Sequence, residues 1–527
     1  MKKTLLSAFI LLIAVSGYGQ SLQDTLARLE NVLAKYYKPE NPGVQLTVSR
    51  NGEILYSKAI GMADLERNVS LTTESLIEAG SVSKQFTAAA ILLLEQQGKL
   101  SVEDDIRKYA PEIPDYGTPI RIFHLLHHTS GLKDWGALAS LTGWPRSTKF
   151  YSNDDALEIM SRQTSLNNKP GDEYIYSNSN YNLMAVIVQR VSGLSLAEFS
   201  KKYLFDPAGM TKTQWRDNPN RIVINRAIAY SKNAGVYETN MPNEYVYGNG
   251  GLLTTTEELA KWSTFYLDGK LGGSDFLKKQ LKTRNLNNGV YNNYAAGLMI
   301  QKNAINHSGS TAGYRAYLTT FDDQKLTIAI LSNTGEHNIS AVNKEIIEVF
   351  KPSNTQMVTE GEYPLKTEEL AGFAGWYKNG KDASGSELTI KDGKLSIDNA
   401  SLHPVSEKLF LLGSNQIVFN KTSSFIFVTA SKDTTHFERA VKPDYRFEKL
   451  YGEYFSDEMK SSVTVFEKEG KPFIRVKADA VLELYPTYKN AFRISDTGGS
   501  LYFDEKTRKL TISVPRARNV SYKFAKQ

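Results

Sequence analysis

The 527-residue chain contains no cysteine. Disulfide bonds, thiolate catalysis and lipid attachment through a cysteine are therefore excluded. The formal net charge is only +6 and no long run of like charges occurs, which argues against nucleic acid as a partner. The sequence has neither a complete Gly-x-x-x-x-Gly-Lys-Ser/Thr phosphate loop nor a dinucleotide fingerprint after a strand, so no cofactor is predicted. Beyond the N-terminal segment no apolar run reaches the length of a membrane span, so no integral span is predicted.

The first 19 residues have the pattern of an export signal. Lys2 and Lys3 give a basic start, an apolar run extends over Leu5–Val15, and small residues follow at Gly17 and Gly19. We predict cleavage after Gly19 and a periplasmic or secreted mature protein. The apolar run is too short to span a membrane, and the alternative interpretation is a buried N-terminal helix.

Strand and helix patterns predict an α+β fold for residues 20–352. Residues 42–61 form two β-rich runs around Asn51-Gly52, a dipeptide typical of a hairpin turn, and a second hairpin is predicted over 313–333. Helical apolar spacing marks four segments between them, Ser83–Lys99, Asp154–Gln163, Tyr181–Val191 and Thr256–Leu267. We expect an antiparallel sheet built from both ends of this domain, with flanking helices and a helical insertion.

After residue 352 the pattern changes to short strands separated by turns. Leu370-Ala-Gly-Phe-Ala-Gly-Trp-Tyr is echoed by Leu450-Tyr-Gly-Glu-Tyr-Phe, and alternating strands follow each copy. We predict a linker over 353–367 and then two small β-barrel or sandwich modules, at 368–446 and 447–527.

A Ser-x-x-Lys motif opens the first predicted helix. Ser81 and Lys84 are three residues apart, so they share one face of a helical turn and the lysine amine lies near the serine hydroxyl. A lysine among apolar groups can have its pKa lowered enough to deprotonate a serine, and free N–H groups at a helix start can stabilise an oxyanion. For Ser81 taken alone, an ordinary N-cap serine is the more frequent interpretation.

Two other patterns near this motif do not predict a site. Ser130 and Lys133 repeat the Ser-x-x-Lys spacing, but in a Thr-Ser-Gly-Leu loop where no helix begins. His124, His127 and His128 have helical spacing, yet no second cluster of ligands accompanies them, so no metal site is predicted.

A Tyr-Ser-Asn motif comes immediately before another apolar helix. The Tyr176 phenol could relay a proton to a leaving group, and the Asn178 amide could hold a substrate carbonyl. Because Tyr-x-Asn recurs elsewhere in the chain, an ordinary packing role is the alternative for Tyr176.

A His-Ser-Gly-Ser motif is predicted to begin a strand that continues into Tyr314. His307 could donate a hydrogen bond to substrate, and Gly309 would let substrate approach the backbone. The Ser310 N–H could complete an oxyanion hole with the N–H of Ser81. Taken singly, His307 is more often a polar residue at a strand end.

The order of these motifs resembles that of class C β-lactamases and the related serine-type D-peptidases. Two further segments are similar to the same superfamily, Leu125-Leu-His-His-Thr-Ser-Gly-Leu and Gly248-Asn-Gly-Gly-Leu-Leu-Thr-Thr-Thr-Glu-Glu-Leu-Ala. The resemblance covers roughly residues 25–350 and implies a β-lactamase/transpeptidase-like fold and acyl transfer through an acyl-enzyme that water resolves. It also implies the site roles: Ser81 as nucleophile, Lys84 and Tyr176 as general base and acid, Asn178 as a substrate-binding residue, and the Ser81 and Ser310 N–H groups as oxyanion hole.

One position departs from the β-lactamase pattern. Where those enzymes carry Lys-Thr-Gly this chain has His307-Ser-Gly, and a histidine offers less fixed charge to a substrate carboxylate near neutral pH. Histidine at this position is similar to the esterase and D-aminopeptidase branches, and a serine D-aminopeptidase of the superfamily also carries two C-terminal β-barrels. We expect an exported hydrolase of esters or of small amides and peptides, including D-amino-acid and cell-wall-derived substrates. A D,D-carboxypeptidase or weak β-lactamase is one alternative, and a non-turnover penicillin-binding sensor or ligand-binding protein is another.

Overall fold

The computed structural model describes residues 23–145, 149–301, 303–351, 363–382, 384–429, 434–443, 446–477 and 480–525. The predicted export signal at 1–19 and residues 353–362 of the predicted linker lie outside this set. The chain divides into two compact units. Unit 1 takes its described residues from Met1–Gln96, Leu194–Leu281 and Gly297–Gln356, and unit 2 takes its own from Gln97–Gly193, Lys282–Ala296 and Met357–Gln527.

Unit 1 contains a six-stranded antiparallel sheet. Its strands are β1 Val44–Arg50, β2 Glu53–Ile60, β10 Met299–Gln301, β11 Ala304–Thr311, β12 Tyr314–Phe321 and β13 Leu326–Ser332. They follow the order β10-β11-β12-β13-β1-β2. Val44 pairs with both Ile60 and Ser332, so strands from the two ends of the predicted domain are neighbours, as the sequence predicts.

Both predicted hairpins are present in this sheet. Asn51 and Gly52 have φ angles of 51° and 82°, the left-handed conformation that an Asn-Gly turn between strands requires. The second hairpin joins β12 to β13 through a 3-10 turn at Asp322–Gln324, which Lys325 ends in the left-handed region.

The strand that carries His307 differs from its prediction. It does not continue into Tyr314, because β11 ends at Thr311 and the chain reverses before β12 begins. Ala312, with a φ of 49°, provides the reversal, and Thr311 then pairs directly with Tyr314. The motif therefore lies on one arm of a third hairpin.

Helices cover both faces of the sheet. Alternate residues of Val44–Val48 share one hydrophobic core with α1 (residues 23–36) and α11 (Ile339–Phe350), as the two-residue period of a strand requires. On the opposite face, the Thr47 hydroxyl donates a 2.8 Å hydrogen bond to the first residue of α9, Thr256–Leu267. The prediction of a helix at 256–267 is confirmed.

The other elements of unit 1 are short. Its remaining strands are β3 Met62–Asp64, β4 Val69–Ser70, β5 Ile77–Glu78, β6 Gln214–Trp215, β7 Tyr230–Asn233, β8 Val236–Thr239 and β9 Leu252–Thr254. Its remaining helices are α2 Lys84–Gln96, α7 Leu196–Ser200, α8 Asp206–Ala208 and α10 Ser274–Leu281, with a π-helical turn at Lys201–Phe205. Helix α2 ends before the predicted Lys99 because Gly98 takes a φ of 69°.

Unit 2 contains the helical insertion. Its helices are α3 Ile122–Leu126, α4 Trp135–Leu141, α5 Asn153–Ser161, α6 Asn178–Ser192 and α12 Thr367–Leu370, with 3-10 turns at Ile106–Lys108 and Glu448–Leu450. Helix α5 begins at a capping box formed by Ser152 and Asp155, and α6 ends at Gly193 in the left-handed region. At the described positions no single helix has the length and apolar composition of a membrane span, although the bent pair Asn178–Ser192 and Leu196–Ala208 meets both criteria together.

Two β modules complete unit 2. The first is a nearly closed barrel of nine strands, β14 Gly375–Asn379, β15 Gly385–Lys391, β16 Lys394–Ile397, β17 Ala400–Ser401, β18 His403–Pro404, β19 Leu409–Leu412, β20 Asn415–Lys421, β21 Ser424–Val428 and β22 Thr434–Arg439. The second is a closed barrel of eight, β23 Gly452–Ser456, β24 Ser461–Lys468, β25 Lys471–Lys477, β26 Ala480–Pro486, β27 Ala491–Ile494, β28 Gly499–Asp504, β29 Lys509–Val514 and β30 Ala517–Phe524. The expected pair of C-terminal barrels is confirmed.

The internal repeat has a structural basis. The Tyr377 hydroxyl donates a 2.8 Å hydrogen bond to the Phe373 carbonyl, and the Tyr454 hydroxyl donates one of the same length to the Leu450 carbonyl. The glycine two residues before each tyrosine has nearly the same φ, 141° and 143°. Each module thus begins with the same tyrosine-anchored entry into its first strand.

Candidate active site

The Ser81 segment begins where strand β5 ends. A 3-10 turn at Gly80–Ser83 follows the strand and leads directly into α2 at Lys84. Gly80 has a φ of 50°, and a Cβ at this position would lie 2.6 Å from the backbone nitrogen of Ser310. Only glycine therefore allows the turn to approach strand β11 this closely.

Gly309 is required by the same close approach. A Cβ on Gly309 would lie 2.1 Å from the Ala79 carbonyl oxygen, on the chain just before the Ser81 turn. The protein backbone itself thus fills the space that the glycine leaves. Strand β10 pairs with β11 at residues 304–306. The turn that carries Ser81 also contacts β11.

Lys84 is fully buried, and its amine contacts the predicted nucleophile. The Nζ atom donates a 3.1 Å hydrogen bond to Ser81 Oγ and a 2.6 Å hydrogen bond to the Asn249 carbonyl oxygen. The three-residue spacing therefore places both groups on one turn, as the sequence predicts. The carbonyl acceptor helps to hold the amine beside Ser81, because the same Nζ atom contacts both oxygens.

The Gly248–Gly251 segment supplies that carbonyl. Thr87 Oγ1 donates a 2.8 Å hydrogen bond to the Gly248 carbonyl, and Ser83 Oγ accepts one from the Leu252 N–H. These contacts hold the segment against α2. The sequence marks the segment by its glycines, but nothing in it identifies a backbone oxygen as the partner of Lys84.

His307 is buried in the strand beside the Ser81 turn and is neutral at physiological pH. Burial, with the positive charge of Lys84, lowers the pKa of His307 to about 3. Its Nδ1 lies 2.6 Å from the Ser308 carbonyl oxygen, which can only accept a hydrogen bond, so Nδ1 carries the proton. His307 therefore provides no positive charge for a substrate carboxylate.

In unit 2, two side chains hold the Tyr176–Asn178 segment. His128 Nδ1 accepts a 3.2 Å hydrogen bond from the Ser177 N–H, and the His128 and Tyr176 ring centres are 4.2 Å apart. Asp134 Oδ2 accepts a 2.7 Å hydrogen bond from the Asn178 N–H, while its Oδ1 caps helix α4. The sequence shows the histidine and the aspartate but not that they position this segment.

The second barrel also contacts Tyr176. Arg516 lies in the turn between β29 and β30, and its guanidinium lies over the Tyr176 ring. The backbone of this turn is fixed as well, because the Arg516 carbonyl accepts hydrogen bonds from the Asp134 N–H, at 3.0 Å, and from Asn167 Nδ2, at 2.9 Å. No sequence signal marks Arg516.

The second Ser-x-x-Lys copy has structural partners. Ser130 Oγ donates a 2.6 Å hydrogen bond to Asn180 Oδ1, and the Lys133 amine lies 3.3 Å from Glu458 of the second barrel. Both members of that ion pair are buried. Burial lowers the pKa of Lys133, and the Glu458 charge opposes this effect.

The three neighbouring histidines have separate partners. His124 Nδ1 accepts from the Arg121 N–H at 3.0 Å, and His127 Nδ1 lies 2.9 Å from the Tyr294 carbonyl. Burial lowers the pKa of both rings to about 4. In the part of the chain that the structure describes, no group of three or more His, Cys, Asp or Glu side chains could hold a metal ion.

A serine and a lysine that are hydrogen-bonded on one turn, close to the backbone nitrogen of Ser310, are the arrangement expected of a serine hydrolase. Residues 27–347 match the model of the Beta-lactamase family, and the chain belongs to this family. The family resemblance predicted from the sequence motifs is thus confirmed.

Curated relatives and solved structures agree with this assignment. The chain is 34% identical over 312 residues to Penicillin-binding protein 4* of Bacillus subtilis (strain 168). The match covers 55% of this chain and 67% of that protein. It is 24% identical over 478 residues to the D-aminopeptidase of Brucella anthropi, covering 86% of each chain. The octameric penicillin-binding protein homologue from Pyrococcus abyssi matches with a TM-score of 0.53 at 21% identity, over 80% of this chain and 100% of that one. The predicted fold class is confirmed.

Proposed function

We propose that this protein is an exported serine hydrolase that forms an acyl-enzyme on Ser81 and cleaves small amides, peptides or esters. The observation that carries the proposal is the Lys84 amine, buried between Ser81 Oγ and the Asn249 carbonyl. As the Ser81 oxygen bonds to a substrate carbonyl carbon, its proton passes to the general base, which is Lys84 in its neutral form or Tyr176 as a phenolate. The leaving amine or alcohol then takes up a proton, and water cleaves the acyl-enzyme.

The developing negative charge needs donors that are already in place. The Ser310 N–H lies beside the Ser81 turn, which supports an oxyanion hole formed by the N–H groups of Ser81 and Ser310. The family resemblance supports Asn178 as a residue that holds the substrate carbonyl or amide. It also supports Tyr176 as the acid that protonates the leaving group.

The substrate class follows from charge. Neutral His307 does not favour a carboxylate next to the scissile bond, whereas D,D-carboxypeptidase and penicillin substrates carry one. We therefore propose amides or short peptides with a D-residue on the acyl side, and acyl esters. The D-aminopeptidase relative, whose match includes the C-terminal part of this chain, supports this choice.

A D,D-carboxypeptidase or penicillin-binding function is the second candidate. The 34% identity to Penicillin-binding protein 4* favours it, but that match covers only 55% of the chain. A cell-wall-derived substrate would fit either candidate, and the periplasmic or secreted location rests on the predicted signal at residues 1–19. N-terminal sequencing of the protein from a periplasmic fraction would test cleavage after Gly19.

Intact mass spectrometry tests the nucleophile. Wild type should gain one fluorophosphonate adduct, Ser81→Ala should gain none, and Ser130→Ala, from the other Ser-x-x-Lys copy, should label like wild type. Labelling of Ser81→Ala, or no labelling of folded wild type, contradicts the proposal.

Substrate profiles then separate the candidates. We expect hydrolysis of D-alanine anilides and short acyl esters to exceed release of D-alanine from a D-Ala-D-Ala peptide. The reverse order, together with a stable penicillin adduct, would establish the second candidate. A fluorophosphonate adduct without turnover of any of these compounds would establish the sensor alternative.

A further inference from the structure

The closed barrel contains a cavity at one end. Aliphatic side chains from four strands, Ile474, Leu482, Ile494 and Ile512, line it together with helix α4, and its volume is about 330 Å³. Ile474 and Ile494 are buried and each adjoins an exposed arginine on its strand, Arg475 and Arg493, so they point into the barrel. Helix α4 contributes Ala137, Ser140 and Leu141 to the lining.

Aromatic side chains occupy other parts of the barrel interior. Tyr454, Phe503 and Tyr522 are buried in it, and an eight-stranded barrel is just wide enough for such side chains to fill it or to hold one small ligand. Under α4 the inward residues are aliphatic and leave space. A pocket of this size with mostly apolar walls is suited to the apolar part of a small ligand.

The residues that line the cavity indicate which class of ligand it would bind. Among the described residues that line the cavity, none is aromatic and none is basic. The polar residues of the lining are Asp496, Ser140 and Thr497. Aliphatic walls suit an unbranched alkyl chain, and a carboxylate with two hydroxyls suits an amine or alcohol head while it repels a fatty-acid carboxylate.

We propose that this cavity binds one aliphatic chain that ends in an amine or hydroxyl group. The site lies wholly within unit 2 and contains none of the proposed catalytic residues. It therefore gives the second barrel a ligand-binding role beyond the proposed hydrolase reaction.

The proposal predicts a chain-length dependence for the full-length protein. Isothermal titration with n-alkylamines should show one site, with affinity rising about three- to fourfold for each added methylene until the cavity is filled and then levelling off. Decylamine and decanol should bind at least tenfold more tightly than decanoate. Absence of saturable binding, equal binding of decanoate, or an affinity that keeps rising with chain length, as in surface adsorption, would overturn the proposal.

Two variants test the walls and the head group separately. Ala137→Phe places a ring in the cavity and should weaken decylamine binding at least tenfold. Asp496→Asn should remove the preference for decylamine over decanol but retain decanol binding, and asparagine tolerates the φ of 56° at this position. Unchanged decylamine binding in folded Ala137→Phe, or an unchanged amine preference in Asp496→Asn, would refute the assigned site. If Ala137→Phe does not fold, the Asp496→Asn result and the chain-length series decide.

Discussion

The guanidinium carbon of Arg516 lies 4.9 Å from the centre of the Tyr176 ring. The two residues are far apart in sequence, one in the last turn of the second barrel and the other just before α6. The His128 ring lies 4.2 Å from the same tyrosine ring, so Tyr176 contacts a cation and an imidazole at once. The C-terminal barrel thus contributes directly to the surroundings of a proposed acid-base residue.

Replacing Arg516 by glutamine should therefore change the pH dependence of hydrolysis. A cation over an aromatic ring stabilises a phenolate more than a phenol, by about 1 kcal/mol. If Tyr176 acts as a phenolate, the acid limb of the kcat/KM profile should move to higher pH in Arg516→Gln, with activity near neutral pH about fivefold lower. Arg475→Gln removes the same charge from another part of the barrel and should behave like wild type. An unchanged profile in Arg516→Gln would exclude this role.

The buried ion pair between Lys133 and Glu458 should be important for stability and not for catalysis. Lys133→Met leaves the Glu458 carboxylate buried without its cation, which should lower the free energy of unfolding by about 3–5 kcal/mol. Adding Glu458→Gln should restore much of this loss, because no buried charge is then left unpaired. Denaturant titrations of the two variants measure both effects.

A matched control for this pair is Lys523–Asp457, which has the same separation of 3.3 Å but is exposed. Lys523→Met should have little effect on unfolding, since exposed ion pairs contribute little. Equal losses in Lys133→Met and Lys523→Met would contradict the importance of burial. Loss of fluorophosphonate labelling in folded Lys133→Met would contradict its separation from catalysis.

Stability should fall in mild acid because buried histidines must stay neutral in the folded state. Burial lowers the pKa of His127 to about 4. The contact of Nδ1 with the Tyr294 carbonyl opposes this shift, and the positive charges of Arg284 and Lys282 add to it. Between this value and the usual 6.5 the unfolded chain binds a proton that the folded protein does not, so stability decreases as pH falls.

His127→Gln should flatten this dependence, by up to about 1.4 kcal/mol per pH unit between pH 6.5 and 4. Urea unfolding at a series of pH values provides the measurement. His436→Gln, at an exposed position, should leave the slope as in wild type. Parallel curves for wild type and His127→Gln would show that His127 titrates alike in both states.

His307→Lys should shift the selectivity towards penicillins. A lysine has a much higher ordinary pKa than a histidine, so it can stay charged where burial and Lys84 keep His307 neutral. A charged hydrogen bond to a carboxylate should then raise the rate of acylation by penicillin roughly tenfold. The rate of adduct formation by mass spectrometry measures this, with His307→Gln as the neutral control. No gain in His307→Lys, or an equal gain in His307→Gln, would mean that charge at this position does not select the substrate.

Local patterns in the sequence predicted much of this protein. The Asn51-Gly52 turn, the helices near 154–163, 181–191 and 256–267, and the tyrosine-anchored repeat of the two barrels all depend on residues a few positions apart. The Ser81–Lys84 contact belongs to the same group, because a three-residue spacing on a helical turn determines it.

Contacts between distant segments were not predictable in this way. The Asn249 carbonyl beside Lys84, the close approach of Ala79 to Gly309, and Arg516 over Tyr176 join segments that are far apart in the sequence. Even the end of strand β11 at Thr311 depended on the reversal at Ala312, a residue with no turn signal of its own.

By itself, therefore, the sequence determined which residue types share a turn or a strand face, since helical and strand periods are properties of the backbone. Only the tertiary structure decided that Lys133, of the other Ser-x-x-Lys copy, meets Glu458 of the second barrel, and that His307 is neutral. Burial and neighbouring charges control these outcomes, and both arise from how distant parts of the chain pack together.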